Sequence, residues 1–432
     1  MNFDIIRLSN INKETQLKPV SKGERFEILD ILRGFALYGV FIANMVWYFS
    51  GYGYIDSNVS ASFGTASIDS ISLELETFFV VNKFITIFSF LFGIGFAIQL
   101  DRVIKRNKKF TSFYVRRMIY LLLFGVIHFT FLLYTDILFM YAILGLLLIL
   151  WRSMSNRQLL FWGIYFAVFL PVIFYSIIWL TPIIFGSEFN IEQAFNARWN
   201  HASTLHSSFI NGSYIEVIKA NLTDVFTWIT TDGGITDAIS SFGLFLLGFR
   251  VGRSNLLTRI NNGLSIKERK NVLKATIWSL VIGIFCHGMT LLDIPIIIDE
   301  DLIWVRIIYK LLWRLGVLTL AIFYICTIIL IYERNKSSRL LHFFTPVGRM
   351  ALTNYIAQSV IGFFIFYRFG LGFYGQVGPA ISIVLATIIF VFQALVSQWW
   401  LKQFRFGPLE WAWRSLTYGK LENMNHSEIT NK

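Results

Sequence analysis

The residues with the most chemical potential in this sequence are ionisable side chains inside long apolar runs. His128 and Asp136 lie in FGVIHFTFLLYTDILFMYAILG, residues 124–145, and Lys83 lies in VVNKFITIFSFLFG. An ionisable group at such a position is costly in lipid, so it usually faces a cavity, a partner or a substrate path. A histidine can act as a general base near neutral pH, and a carboxylate can orient it. These three residues are therefore the candidate catalytic residues.

The spacing of His128 and Asp136 limits how the two side chains can act together. Eight residues along one helix would hold them roughly 12 Å apart, so a direct hydrogen bond requires a turn at Thr135 or a bridging water. Their structural alternatives are a hydrogen bond between helices for His128 and a helix cap for Asp136. Lys83 could instead extend its ammonium to the membrane surface. The sequence leaves both interpretations open.

The composition indicates what kind of protein positions these residues. Of 432 residues, 55% are hydrophobic and 15% are charged, which predicts an all-α integral membrane protein with the lipid bilayer as its partner. The net charge of +12 does not indicate nucleic acid, because Lys and Arg cluster at the ends of apolar runs. No metal-ligand set is visible, since His201 and His206 are five residues apart with no cysteine nearby.

Ten apolar runs approach the roughly 20 residues that a membrane-spanning helix needs. Basic segments between them alternate with acidic loops, among them the loop that contains Asp69 and Glu76. The positive-inside rule then places both termini in the cytoplasm. The predicted spans are residues 31–50, 78–100, 116–134, 137–152, 158–184, 237–252, 273–293, 311–332, 350–368 and 379–401.

Three regions follow from this count. They are a cytoplasmic leader at 1–25, a membrane domain at 26–402 with a polar outer insertion at 185–236, and a cytoplasmic segment at 403–432. Residues 190–205 of the insertion have the amphipathic pattern of a helix that lies on the outer surface. In FGPLEWAWRSLTYGK, Pro408 and Gly419 mark the start and the end of a short interface helix.

Polar residues near the ends of the spans are candidates for ligand binding. Three arginines lie on the cytoplasmic side: Arg33, Arg349 and Arg414. Three amides are candidates for a substrate cavity: Asn44, Asn354 and Gln358. Each has a structural alternative, because Arg33 can pair with Asp30 three residues away and the amides can form hydrogen bonds between helices.

Several motifs resemble, in order, those of the YeiB-like family of bacterial multi-spanning membrane proteins. They are LDILRGFALYGVFIANM, NKFITIFSFLFGIGFAIQLDR, RRMIYLLLFGVIHFTFLLYTDILFMYAILG, VGRMALTNYIAQSVIGFFIFYRFGLG and FRFGPLEWAWRSLTYG, and the match runs from about residue 25 to 420. The family is distantly similar to transmembrane acyltransferases, which use cytoplasmic acyl-CoA as donor. In those enzymes a histidine often stands where this chain has Asn44, and an amide is not a general base.

The resemblance implies a hypothesis with two alternatives. In an acyltransferase, the arginines would hold the phosphates of acyl-CoA, His128 would be the base, Asp136 would orient it and Lys83 would stabilise the oxyanion. In a transporter, the same buried charges would form a proton or substrate path. In a scaffold, they would only join helices.

Overall fold

The computed structural model describes residues 25–52, 65–105, 109–185, 207–230, 232–291 and 303–426. Within these ranges the secondary structure is helical, with no strand, so the all-α prediction is confirmed there. The helices are α1 Glu27–Ala43, α2 Ala66–Phe79, α3 Lys83–Lys105, α4 Phe110–Phe131, α5 Ile137–Leu148, α6 Asn156–Ile164, α7 Leu170–Phe185, α8 Tyr214–Thr230, α9 Asp232–Gly252, α10 Leu256–Asn262, α11 Ile266–Leu291, α12 Ile303–Arg334, α13 Arg339–Arg349, α14 Ala351–Phe366, α15 Pro379–Gln403 and α16 Pro408–Tyr418.

Eight helical stretches of the described residues are long and apolar enough to cross a membrane. Two shorter apolar helices, Ile137–Trp151 and Ala351–Phe366, occupy the positions of the other two predicted spans. The total of ten spans and the cytoplasmic termini stay predictions. The eight stretches are Glu27–Phe49, Ala66–Lys105, Phe110–Phe131, Asn156–Leu180, Gly234–Gly252, Ile266–Thr290, Trp304–Arg334 and Pro379–Gln403.

The sequence predicted that the acidic residues before the second span lie in a loop, and this prediction is wrong. Asp69 and Glu76 belong to α2, and both are buried. The Asp69 carboxylate accepts the Ala380 amide at 2.9 Å, and Glu76 accepts the Trp47 indole N–H at 2.9 Å. The first turn of a helix has amides without partners inside the helix, and Asp69 satisfies one of them at the start of α15. Acidic residues thus join elements inside the fold.

Helix α1 is the most enclosed of the eight candidate spans. It packs backbone to backbone against α13, because Gly34 of α1 and Gly348 of α13 have no Cβ. A Cβ on Gly34 would overlap the Phe344 carbonyl, and one on Gly348 would overlap the Asp30 carbonyl. Small residues at such a seam let two helices approach closely. The seam fixes α13, and with it the start of α14, against the centre of the bundle.

The segment after the last long helix contains α16, as Pro408 and Gly419 predict. Pro408 is at the first turn, and Gly419 ends the helix with a φ of 68°. Glu410 docks α16 onto the start of α14, since its carboxylate accepts the Leu352 amide at 2.6 Å and the Thr353 amide at 3.0 Å. The proposed leader up to residue 24 and the amphipathic helix at 190–205 lie outside the described residues.

Candidate active site

The turn between α4 and α5 brings His128 and Asp136 into direct contact. Helix α4 ends at Phe131, and Asp136 is the N-cap of α5, where its Oδ2 accepts the Phe139 amide at 2.6 Å. The cap folds the carboxylate back, so that Oδ1 lies 2.8 Å from His128 Nδ1. The pair is thus in contact at ion-pair distance, although Nδ1 forms no hydrogen bond of standard geometry. No bridging water is required for this pair.

Helix α14 completes the group from the other side. Ser359 Oγ lies 2.7 Å from His128 Nε2, and the Tyr355 hydroxyl donates to Asp136 Oδ1 at 3.4 Å. The Tyr355 ring also packs on the imidazole, with 5.0 Å between ring centroids. Residues four apart share a helix face, so Tyr355 and Ser359 reach the same partner pair. We call Asp136, His128 and Ser359 the relay.

The direction of the hydrogen bonds follows from the acceptor at one end of the relay. The Asp136 carboxylate beside Nδ1 favours the tautomer that carries its hydrogen on Nδ1, and this tautomer presents a lone pair on Nε2. Ser359 can then donate its hydroxyl hydrogen to Nε2. An orienting carboxylate, an imidazole and a hydroxyl in this order form the arrangement that activates a hydroxyl nucleophile in acyl transfer.

The relay is closed to solvent. The exposed fractions are 0% for His128, 2% for Asp136 and 1% for Ser359. Electrostatic interactions are stronger in such a site than in water, and an unpaired polar group there would be costly. The three side chains therefore hold α4, α5 and α14 together, whatever chemistry they perform.

Lys83 lies in a different group. Its ammonium donates to the Thr77 carbonyl at 2.6 Å, lies 2.9 Å from His287 Nε2, and stands 5.3 Å from the centre of the Trp313 ring. Among the residues that the structure describes, no contact joins Lys83 to His128 or Asp136. A role for Lys83 as the oxyanion donor beside His128 thus stays a prediction without a supporting contact.

The predicted donor arginines come together at the other end of α4 and α14. Asp30 is the acidic centre of this group, since its carboxylate lies 3.1 Å from Arg33 Nη1 and 2.5 Å from Arg25 Nε. Arg349 follows Gly348, which packs against the Asp30 carbonyl. Burial lowers the pKa of Arg349, the positive charge of Arg25 lowers it further, and Asp30 raises it. Arginine stays charged in proteins, so this end of the bundle carries more positive charge than Asp30 neutralises.

Aromatic rings of α16 and of the segment just before it contact two further arginines at the same end. The guanidinium of Arg117 lies 3.6 Å from the centre of the Trp413 ring, and that of Arg414 lies 4.3 Å from the centre of the Phe406 ring. Burial lowers the pKa of Arg414, with Arg25 among the charges that lower it further. Such a group of guanidiniums can bind phosphate groups. We call the following residues the arginine cluster: Arg25, Arg33, Arg117, Arg349 and Arg414.

Two of the three predicted cavity amides form hydrogen bonds between helices, and the cavity itself stays a prediction. Asn354 Nδ2 donates to Ser397 Oγ at 2.9 Å, and Gln358 Nε2 donates to Gln393 Oε1 at 3.1 Å. Both therefore join α14 to α15, which is the structural alternative that the sequence left open. Asn44 is half-buried, and it starts a π-helical turn that continues α1 to Phe49.

Sequence reasoning missed Ser359, Tyr355 and His287. The motif VGRMALTNYIAQS contains both α14 residues, and their spacing of four was a usable signal. Their pairing with His128 joins segments 231 residues apart, which no local pattern reveals. Among the described residues, no group of His, Cys, Asp and Glu could hold a metal ion.

Comparison with known proteins gives the family. Residues 252–420 match the family model described as Protein of unknown function (DUF418). Uncharacterized protein YxaH of Bacillus subtilis (strain 168) is 31% identical over 424 residues, which cover 94% of this chain and 97% of that protein. The chain belongs to the DUF418 family. Uncharacterized protein YeiB of Escherichia coli (strain K12) is 25% identical over 407 residues, 91% of this chain and 96% of the relative, so the YeiB-like resemblance is confirmed.

The DUF418 match contains one of the three relay residues. It covers α14 with Ser359 and α16 with Arg414, whereas His128 and Asp136 precede it. The Bacillus relative aligns with 94% of the chain, and so with far more of it than the family model does. No solved structure matches the chain.

Proposed function

We propose that this DUF418 protein is an acyltransferase of the bacterial cytoplasmic membrane. It has ten spans with both termini in the cytoplasm, and it moves an acyl group from cytoplasmic acyl-CoA to an acceptor on the outer side. The relay is the observation that carries this proposal, since the base atom His128 Nε2 lies 2.7 Å from a hydroxyl and His128 Nδ1 lies 2.8 Å from the carboxylate that would orient it. The relatives that share the chain's length are bacterial proteins.

His128 is the general base in this proposal, and Asp136 orients it. The base removes a proton from a hydroxyl as that oxygen attacks the acyl carbonyl, and it returns the proton to the leaving group. The amide of Asn44 cannot perform this step. His128 therefore takes the role that a histidine in the first span has in the acyltransferases that the sequence resembles.

The arginine cluster is the donor site in this proposal. Arg33, Arg349 and Arg414 supply charge for the phosphates of acyl-CoA, and Asp30 holds Arg33 in place. Arg117 and His128 are eleven residues apart on α4, which is roughly 16 Å along the helix. The donor thus binds at one end of the bundle, and its thioester extends toward the relay.

The binding of acetyl-CoA to the purified protein tests this function. A ligand at one hundred times its dissociation constant stabilises the folded state by roughly 2.7 kcal/mol. We expect acetyl-CoA to raise the temperature of thermal unfolding, and Arg33→Ala to abolish the shift. Arg269→Ala, an exposed arginine on α11, is the matched control and should keep it. The absence of a shift with acetyl-CoA or free CoA would contradict the proposal.

The Lys83 group favours transport as a second candidate function. A buried lysine beside His287 and the buried carboxylate of Glu76 could form a proton path. Proton-dependent solute flux through reconstituted protein, lost in Lys83→Met, would support a transporter. An acyltransferase predicts instead that Lys83→Met leaves acetyl-CoA binding unchanged.

A further inference from the structure

We propose that Ser359 is the nucleophile and carries the acyl group as a covalent ester between donor and acceptor. This inference rests on the proposed function and adds an intermediate to it. Its basis is the position of the Ser359 hydroxyl, which occupies the place next to His128 Nε2 that a reacting hydroxyl must have.

The hydroxyl of Ser359 has two acceptors within reach. His128 Nε2 is 2.7 Å away, and the Tyr355 carbonyl of the preceding helical turn is 3.3 Å away. The shorter contact is the one to the base. A serine that only satisfied its own helix would not need an imidazole oriented by a buried carboxylate. The relay therefore contains the three parts of an activated nucleophile.

The position of Ser359 along α14 suits a residue that carries an acyl group across the membrane. It lies eight residues after Ala351 and seven before Phe366, so it is at the middle of α14, roughly 10–12 Å from either end. The arginine cluster lies at the Ala351 end, where Arg349 immediately precedes the helix break. An acyl group on Ser359 would thus lie about halfway across the membrane, separated from the CoA that donated it.

The proposed reaction has two steps, acylation of Ser359 and transfer of the acyl group to the acceptor. Ser359 Oγ attacks the thioester carbonyl of acyl-CoA, its proton goes to His128 Nε2, and the C–S bond breaks as the CoA sulfur takes that proton. An acceptor hydroxyl or amine then attacks the ester carbonyl and gives its proton to Nε2. The bond from the acyl carbon to Oγ breaks, and Oγ recovers the proton. No oxidant, reductant or metal takes part in either step.

The burial of Ser359 determines how long the ester lasts. With only 1% of the residue exposed, water has little access to an ester at this position. Without an acceptor, the acyl-enzyme should therefore accumulate on the full-length protein. This consequence makes the intermediate measurable without knowledge of the acceptor.

The test is intact-mass measurement of detergent-purified protein after incubation with acetyl-CoA and no acceptor. We expect one added acetyl group, mapped to Ser359 by peptide sequencing, and none in Ser359→Ala. Ser382→Ala, which removes a fully buried serine of α15, is the matched control and should be acetylated like the wild type. In Ser359→Cys, the acetyl group should be attached as a thioester that neutral hydroxylamine removes.

The outcomes separate this inference from the proposed function. An unmodified wild type that is still stabilised by acetyl-CoA would overturn the acyl-serine and leave a direct transfer in its place. Acetylation of Ser359→Ala at the wild-type level would also overturn it. A wild type that neither binds acetyl-CoA nor gains mass would overturn both the intermediate and the acyltransferase.

Discussion

Replacement of Asp136 by asparagine tests the relay with little change in shape. Asparagine caps a helix as well as aspartate does, so the cap on the Phe139 amide should remain. The charge-assisted contact to His128 is lost, and hydrogen bonds to charged groups contribute about 1.5–3 kcal/mol. The imidazole is also free to place its hydrogen on Nε2, which removes the acceptor for Ser359. In a protease triad, this substitution lowers the rate by about 10⁴.

The assay follows the rate at which labelled acetyl groups appear on Ser359, together with thermal unfolding of the same sample. We expect Asp136→Asn to fold, to retain acetyl-CoA binding and to be acetylated about 10⁴ times more slowly. Asp101→Asn is the control, because Asp101 is exposed and forms a surface ion pair with Lys105 at 2.7 Å. Acetylation of Asp136→Asn at the wild-type rate would refute the reasoning about the tautomer.

Two further predictions concern stability and are read from thermal unfolding. Gly348→Ala should destabilise the fold by about 1–3 kcal/mol, since its Cβ meets the Asp30 carbonyl, whereas Gly288→Ala, with nothing within 4 Å, should not. Burial raises the pKa of Glu410, so the free energy of unfolding should fall as the pH rises from 4.5 through that raised value. Glu410→Gln should flatten this dependence, and an unchanged slope would contradict it.

Much of the fold could be predicted because a bilayer fixes the length of its helices. The apolar stretch from Tyr114 to Trp151 is too long for one span, and the structure ends α4 at Phe131 and begins α5 at Ile137. The break between α2 and α3 was not predictable in the same way. Its residue Asn82 has a φ of 63°, and the buried contacts of Glu76 and Lys83 on either side involve distant elements.

The candidate site was predictable only where its parts are close in the chain. His128 and Asp136 stand out because ionisable residues are rare in apolar runs, and the turn that joins them ends with a recognisable cap. Ser359 does not stand out, since serine is common in membrane helices and forms hydrogen bonds there without any chemical role. Its significance comes from tertiary packing, which determines the partner of its hydroxyl.

The glycine seam between α1 and α13 has a consequence for the charges beside it. Gly34 follows Arg33, and Gly348 precedes Arg349, so each glycine stands next to an arginine of the cluster. Main-chain contact between the two helices thereby sets the distance between the backbone positions that carry the two arginines. A mutation that widened the seam by one methyl group would separate the charges without altering either arginine. If such a variant lost ligand affinity, the cause would be the changed distance between the arginines, since both guanidiniums would still be present.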